Sequence, residues 1–100
     1  MSIQVVVRRG AAADLAEAHS WYEAQRAGLG TQFLDEVEWI LERVGAGPLR
    51  FPVVFRDTRR ALVRRFPYAI YFRLTGDQAR VLAVVHQRRD PRIWKQRVPD

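Results

Sequence analysis

Cysteine is absent from the 100-residue chain, which excludes disulfide frameworks, cysteine-ligated metals and thiol nucleophiles together. Histidine is scarce. His19 and His86 fall on separate predicted elements with no carboxylate at ligand spacing, so metal binding is not expected. Lysine occurs once, at Lys95, against sixteen arginines. No apolar run approaches the roughly 20 residues that span a bilayer, and the arginine at Arg8 leaves no room for a signal peptide. The expectation is a soluble, cytoplasmic protein with no membrane association. A Walker-type loop, GxGxxG, HExxH and GxSxG are all missing, so nucleotide hydrolysis and the commoner hydrolase chemistries have no support, and no cofactor is expected.

What is present suffices for one modest core. With 48% hydrophobic residues over this length, residues 1–100 form a single domain. The net charge of +6 is unevenly spread: residues 1–58 hold six arginines against eight acidic residues, and residues 59–100 hold eleven basic against three acidic, giving −2 and +8. Codon bias explains arginine over lysine but not this asymmetry. A basic half of this kind suits an anionic partner, either nucleic acid or an acidic protein segment.

Hydropathy patterning gives the order of elements. Residues 3–8 are dense in β-branched side chains and predict a short buried strand ending before Gly10. From Ala11 to Arg26, Ala11, Leu15, Ala18 and Tyr22 recur at helical spacing. Gly28-Leu29-Gly30 breaks that pattern, Thr31 is the expected N-cap, and Phe33, Leu34, Val37, Ile40, Leu41 and Val44 define a second helix ending at Gly45-Ala46-Gly47-Pro48. So short a link predicts an antiparallel helical hairpin. Strands are expected at Val53–Phe55, Arg60–Phe66, Ala69–Thr75 and Arg80–His86, with turns at Pro67 and Gly76-Asp77. Val81 to Val85 is apolar at every position, as in a central strand covered on both sides. Asp90-Pro91 opens a short C-terminal turn or helix ending near Arg97. The fold class is α+β: an N-terminal strand, a helical hairpin on one face, and a three- to four-stranded antiparallel meander.

The residues with chemistry to offer gather in the basic half: Arg59, Arg60, Arg64, Arg65, His86, Arg88, Arg89, Arg92, Lys95 and Arg97, with Tyr68, Tyr71 and Trp94 among them. Arginine neutralises phosphate, histidine moves protons near neutral pH and aromatic rings stack on unpaired bases, so this set suits an RNA-binding or RNA-cleaving surface. It suits an acidic protein tail equally well, through forked arginine-carboxylate pairs. Arg89-Asp90 reads as a local ion pair. Trp39 lies roughly 150° around the second helix from its apolar stripe at 100° per residue, which makes it a candidate partner-binding anchor.

Asp14-Leu15-Ala16-Glu17-Ala18, Trp21-Tyr22-Glu23, Gly28-Leu29-Gly30, Phe33-Leu34 and Phe51-Pro52, followed by Arg65 to Phe72 and by His86-Gln87-Arg88-Arg89-Asp90-Pro91 with Trp94, resemble ParE-type toxins. These belong to the ParE/RelE superfamily of toxin-antitoxin and plasmid stabilisation proteins. The resemblance spans nearly the whole chain and implies a cytoplasmic bacterial toxin held in a hetero-oligomer by a ParD-like antitoxin. It also implies a choice between two branches. RelE-type members are ribosome-dependent messenger-RNA endonucleases, and an arginine typical of their active surface, in a pattern like Arg-Leu-Val-Tyr, is absent from the matching Tyr68-Ala69-Ile70-Tyr71. ParE-type members are associated with poisoning DNA gyrase without an enzymatic step, and the chain resembles these more closely. If the chain were a ribonuclease, Arg65, His86 and Arg88 would carry the chemistry. A non-toxic binding module on the same fold is the third reading. The candidates for partner or target binding are Trp39, Arg59, Arg60, Arg65, Arg88, Arg89 and Trp94. The antitoxin segment is expected to be amphipathic and acidic, crossing the hairpin and the sheet edge with carboxylates opposite Arg59, Arg60 and Arg65.

Overall fold

A computed structural model describes residues 3–99. The chain runs β1 (Gln4–Val7), α1 (Arg9–Gln25), α2 (Leu29–Ala46), a 3-10 turn (Pro48–Arg50), β2 (Val53–Phe55), β3 (Thr58–Leu62), β4 (Tyr68–Thr75), β5 (Gln78–His86) and α3 (Arg92–Lys95). The strands form one sheet in the order β1-β5-β4-β3-β2, in which β2 to β5 make an antiparallel meander and β1 pairs parallel with β5. The expected α+β arrangement is the one observed.

Alternation explains how one sheet serves two cores. On β4, Ile70 and Phe72 face the helices while Ala69 and Tyr71 face the opposite side. On β5 the parity changes midway: Ala79 and Val81 face the helices, yet Ala83 and Val85 face away. The cause is a bulge, since Tyr71 pairs with Ala83 and Phe72 with Val81, leaving Leu82 as the extra residue. One inserted residue turns every later side chain to the other face. The second face is covered by the C-terminal segment, whose Trp94 and Val98 are buried against Tyr71 and Val85.

Four details differ from the sequence expectation. β1 is a half-exposed edge strand rather than a buried one, because no strand among the described residues pairs with its outer side. The second helix starts at Leu29 rather than after Thr31. Gly28, at φ +90°, reverses the chain and serves as N-cap, and the first-turn amides are held by Glu23 of α1 rather than by Thr31. Gly45 does not stop the helix: it is buried where α2 crosses β1, and a Cβ there would lie 3.1 Å from the Ile3 carbonyl oxygen, so this glycine permits close packing. The strand expected over Arg60–Phe66 is Thr58–Leu62, and the chain then leaves the sheet with Arg65 at φ +70°. Phe66 anchors that excursion, its ring 4.9 Å from Tyr22 and 5.4 Å from Phe33 in edge-to-face contacts worth about 0.5–1.5 kcal/mol each.

Candidate functional site

The arginines of the loop after β3, Arg64 and Arg65, are organised by α2. Arg64 donates Nε to Glu36 at 3.1 Å, and Arg65 reaches the same carboxylate at 3.5 Å and Gln32 at 3.2 Å. Arg64 also lies over the Trp39 ring, 3.4 Å from its centroid, and Arg43 lies over it at 3.8 Å. Two guanidinium groups this close to one centroid can occupy only opposite faces, so the indole is sandwiched. Trp39 is half-buried and in contact with the core edge. It is therefore not a bare anchor: Arg64 and, from its own helix, Arg43 cover it.

Arg59 and Arg60 do not share a surface. Arg59 pairs with Phe72 on the helix side and donates to the carbonyls of Phe51 at 2.7 Å and Leu49 at 3.4 Å, which ties the 3-10 turn to β3. Arg60 pairs with Tyr71 on the opposite side and is exposed. Alternation along the strand dictates this separation.

A cleft of about 630 Å³ runs between α1, the end of β5 and the C-terminal segment, lined among others by Glu17, Trp21, Tyr68, His86, Arg89 and Ile93. Its wall is held by Asp14, which accepts from Arg97 at 2.6 and 3.0 Å and from the Val84 amide at 2.9 Å. Arg97 also donates to the Leu82 carbonyl at 3.1 Å. These contacts satisfy the part of the β5 edge that lies beyond the last β1 pairing, Val7 with Val81. Burial, and to a lesser degree the nearby Glu17 and Asp14, push the Tyr68 hydroxyl above its usual range against the opposing influence of Arg89. Tyr68 therefore stays protonated at neutral pH and is a hydrogen-bond donor there.

The three residues a ribonuclease would need do not line one cleft. Arg65 is engaged on α2. His86 packs edge-on against Tyr68 at 5.5 Å and its Nδ1 accepts from the Arg88 amide at 3.1 Å. Neither Arg65 nor Arg88 lines the cleft that holds His86; Arg89 does. Trp94 is removed from any recognition surface, because it is buried and stacked on Tyr71 with centroids 3.9 Å apart and planes 11° from parallel. Arg88 and Arg89 sit exposed in the turn after β5. Asp90 pairs with Arg92 at 2.6 Å rather than with Arg89, and it accepts the Arg92 amide, which caps α3. Among the described residues no cluster of histidine and carboxylates could hold a metal ion.

A third surface is apolar. Ile3, Val5, Val7, Leu15, Leu34, Val37 and Leu41 line a groove of about 570 Å³ between β1, α1 and α2, with Glu38 and Glu42 among its lining residues. It opens beside the unpaired outer edge of β1. Sequence reasoning missed the groove because an edge strand and a core strand share one apolar pattern. It also missed Arg43 and Arg50 in the acidic half of the chain: Arg43 packs on the Trp39 ring that Arg64 also covers, and Arg50 lies against Gly47.

Residues 5–91 match the family model described as the ParE toxin of the type II toxin-antitoxin system, parDE. No curated protein is significantly similar in sequence. Among solved structures, a chain of the chromosomal ParDE TA system from P. aeruginosa is similar with a TM-score of 0.76 at 17% identity, covering 85% of this chain and 96% of that one. At that identity the likeness concerns the fold.

Proposed function

The chain belongs to the family of ParE toxins of type II toxin-antitoxin systems, and from that premise we propose that it inhibits DNA gyrase by surface recognition and is silenced by a ParD-like antitoxin. The observation that supports the non-enzymatic reading is that Arg65 is engaged by Gln32 and Glu36 of α2, while His86 lines a cleft that neither Arg65 nor Arg88 lines. General acid-base cleavage needs its groups within about 3 Å of the same phosphate, and here Arg65 is bound to α2 while the His86 Nδ1 is occupied by the Arg88 amide.

The antitoxin occupies the apolar groove between β1, α1 and α2, with which it makes a cytoplasmic hetero-oligomer. Two features support this site. Val7 and Leu34 are each 37% exposed in the groove, where a partner's aliphatic side chains would bury them. The free edge of β1 offers backbone donors and acceptors to an added strand. Glu38 and Glu42 among the lining residues favour basic or neutral residues on the part of the antitoxin that enters the groove. Acidic residues of the antitoxin can meet arginine beyond the groove, at Arg8 and Arg9 on the exposed start of α1 or on the far side of α2.

The test runs two assays on the same purified chain. DNA supercoiling by gyrase should fall as the chain is added and recover with antitoxin. Messenger RNA on translating ribosomes should remain intact. Position-specific cuts in that message would overturn the reading in favour of a ribonuclease.

A further inference from the structure

The seam between α2 and the β3 side of the sheet holds five arginines in a row. Arg65 is fixed at Gln32 and Glu36, Arg64 and Arg43 enclose Trp39, Arg59 is tied to the carbonyls of the 3-10 turn, and Arg50 lies against Gly47. We propose that this seam binds the sugar-phosphate backbone of duplex DNA, as a property of the toxin chain itself and independently of any effect on gyrase.

The row follows α2 from Gln32 to its C-terminal end, roughly 22 Å at 1.5 Å per residue. One strand of B-form DNA carries a phosphate about every 3.4 Å along the axis, so about six phosphates lie along a row of this length and the winding of the strand turns only part of them, about four, toward it. The charge is one-sided. Glu36 is the carboxylate bonded within the row, whereas Glu38 and Glu42 line the apolar groove; Asp35, four residues before Trp39, flanks the row by helical spacing. The guanidinium groups are also preorganised. Each has five N–H donors; Arg64 gives one to Glu36, and Arg43 gives none to another group among the described residues. Side chains already fixed against a ring lose little further freedom when they meet phosphate.

Two observations favour duplex backbone over other anions. Unpaired nucleic acid is held by stacking bases on open aromatic faces, and both faces of Trp39 are covered. An acidic peptide must bury apolar anchors to offset its ordering, and along this row the exposed apolar side chains are Leu49 and Val53, both beside Arg59 at one end. A rigid polyanion recognised through its charges suits a surface with guanidinium groups and few anchors.

Fluorescence anisotropy with a labelled 20-base-pair duplex of arbitrary sequence, at 50–300 mM salt, tests this with the purified full chain. We expect binding that weakens with salt with a log-log slope of about −3 to −4, given about 0.9 per neutralised phosphate. Arg43→Gln with Arg64→Gln should weaken binding about tenfold at 50 mM salt and reduce the slope by about 2. Arg43→Lys with Arg64→Lys should restore most of it. Arg8→Gln with Arg9→Gln removes the same charge from the exposed start of α1 and should leave the slope nearly unchanged. Thermal melting identifies any variant that fails to fold, and Arg50→Gln, at an exposed position, then stands in with a slope reduced by about 1. The proposal is overturned if the duplex does not bind at 50 mM salt, if the Arg8 and Arg9 pair weakens binding as much as the seam pair, or if single-stranded DNA or a polyglutamate peptide binds the seam more tightly than the duplex does.

Discussion

Replacing Asp14 by alanine should loosen the closure between α1, β5 and the C-terminal segment more than any other single surface change. The carboxylate accepts three hydrogen bonds, two from Arg97 and one from the Val84 amide, and its side chain is only 15% exposed. Losing it leaves the Val84 amide without its acceptor on a strand edge that β1 does not reach, at a cost of about 1–3 kcal/mol. Arg97 keeps its bond to the Leu82 carbonyl but loses its counter-charge; with its side chain 31% exposed, solvent compensates much of that, leaving about 1 kcal/mol. The combined loss of about 2–4 kcal/mol is a large part of the 5–15 kcal/mol that holds a domain together. It corresponds to a fall in Tm of roughly 10–20 °C for a chain of this size. Asp14→Asn keeps one acceptor and should lose about half as much. Thermal melting by circular dichroism gives the first number, and hydrogen exchange at the Val84 amide gives the mechanism. An Asp14→Ala variant that melts within about 3 °C of the parent, or whose Val84 amide stays protected, would refute the reasoning.

Gly30→Ala should destabilise by about 1–3 kcal/mol through overpacking, because the new Cβ would lie 2.6 Å from the His19 carbonyl oxygen; chemical denaturation checks this. Hydrogen bonds from the amides of Gly28, Thr31 and Gly30, the first contributing most, together with the nearby His19, hold the Glu23 carboxyl below its usual range against the opposing effect of burial. Its stabilisation is therefore complete above the ordinary carboxylate range and is lost as pH falls through the lowered value, so the difference in Tm between the parent and Glu23→Gln should shrink from pH 6 toward pH 3. Trp94→Ala should cost about 3–5 kcal/mol, measured by urea unfolding, because the ring is buried and stacked on Tyr71. Arg59→Ala should lower Tm by several degrees, whereas Arg60→Ala should leave it nearly unchanged, since only Arg59 ties the 3-10 turn to β3.

The parts of the fold legible in the sequence were those carried by local periodicity. The helical stripe from Phe33 to Val44, the Gly76-Asp77 turn and the apolar run from Val81 to Val85 all became the elements they predict. What escaped were features set by pairs distant in the chain. The parallel partnership of β1 with β5 joins residues more than seventy positions apart, and the bulge at Leu82 leaves no mark in a run where every residue is apolar. The candidate residues fared likewise. Charge counting found Arg59, Arg60, Arg64 and Arg65, but it could not place Arg59 and Arg60 on opposite faces or bring Arg43 and Arg50 into their row. Trp94 resembled a surface aromatic because it sits among basic residues, and only the tertiary stack on Tyr71 buries it.

Recognition without catalysis has a stoichiometric signature, because an enzyme disables an excess of its target and a surface inhibitor cannot. The direct measurement is a titration of the chain into a fixed concentration of gyrase, well above the dissociation constant, with supercoiling as the readout. The account predicts a linear fall that ends near one toxin per binding site on gyrase and is unaffected by changing His86 to glutamine. Complete inhibition at a small fraction of that ratio, increasing with incubation time and abolished by His86→Gln, would contradict it.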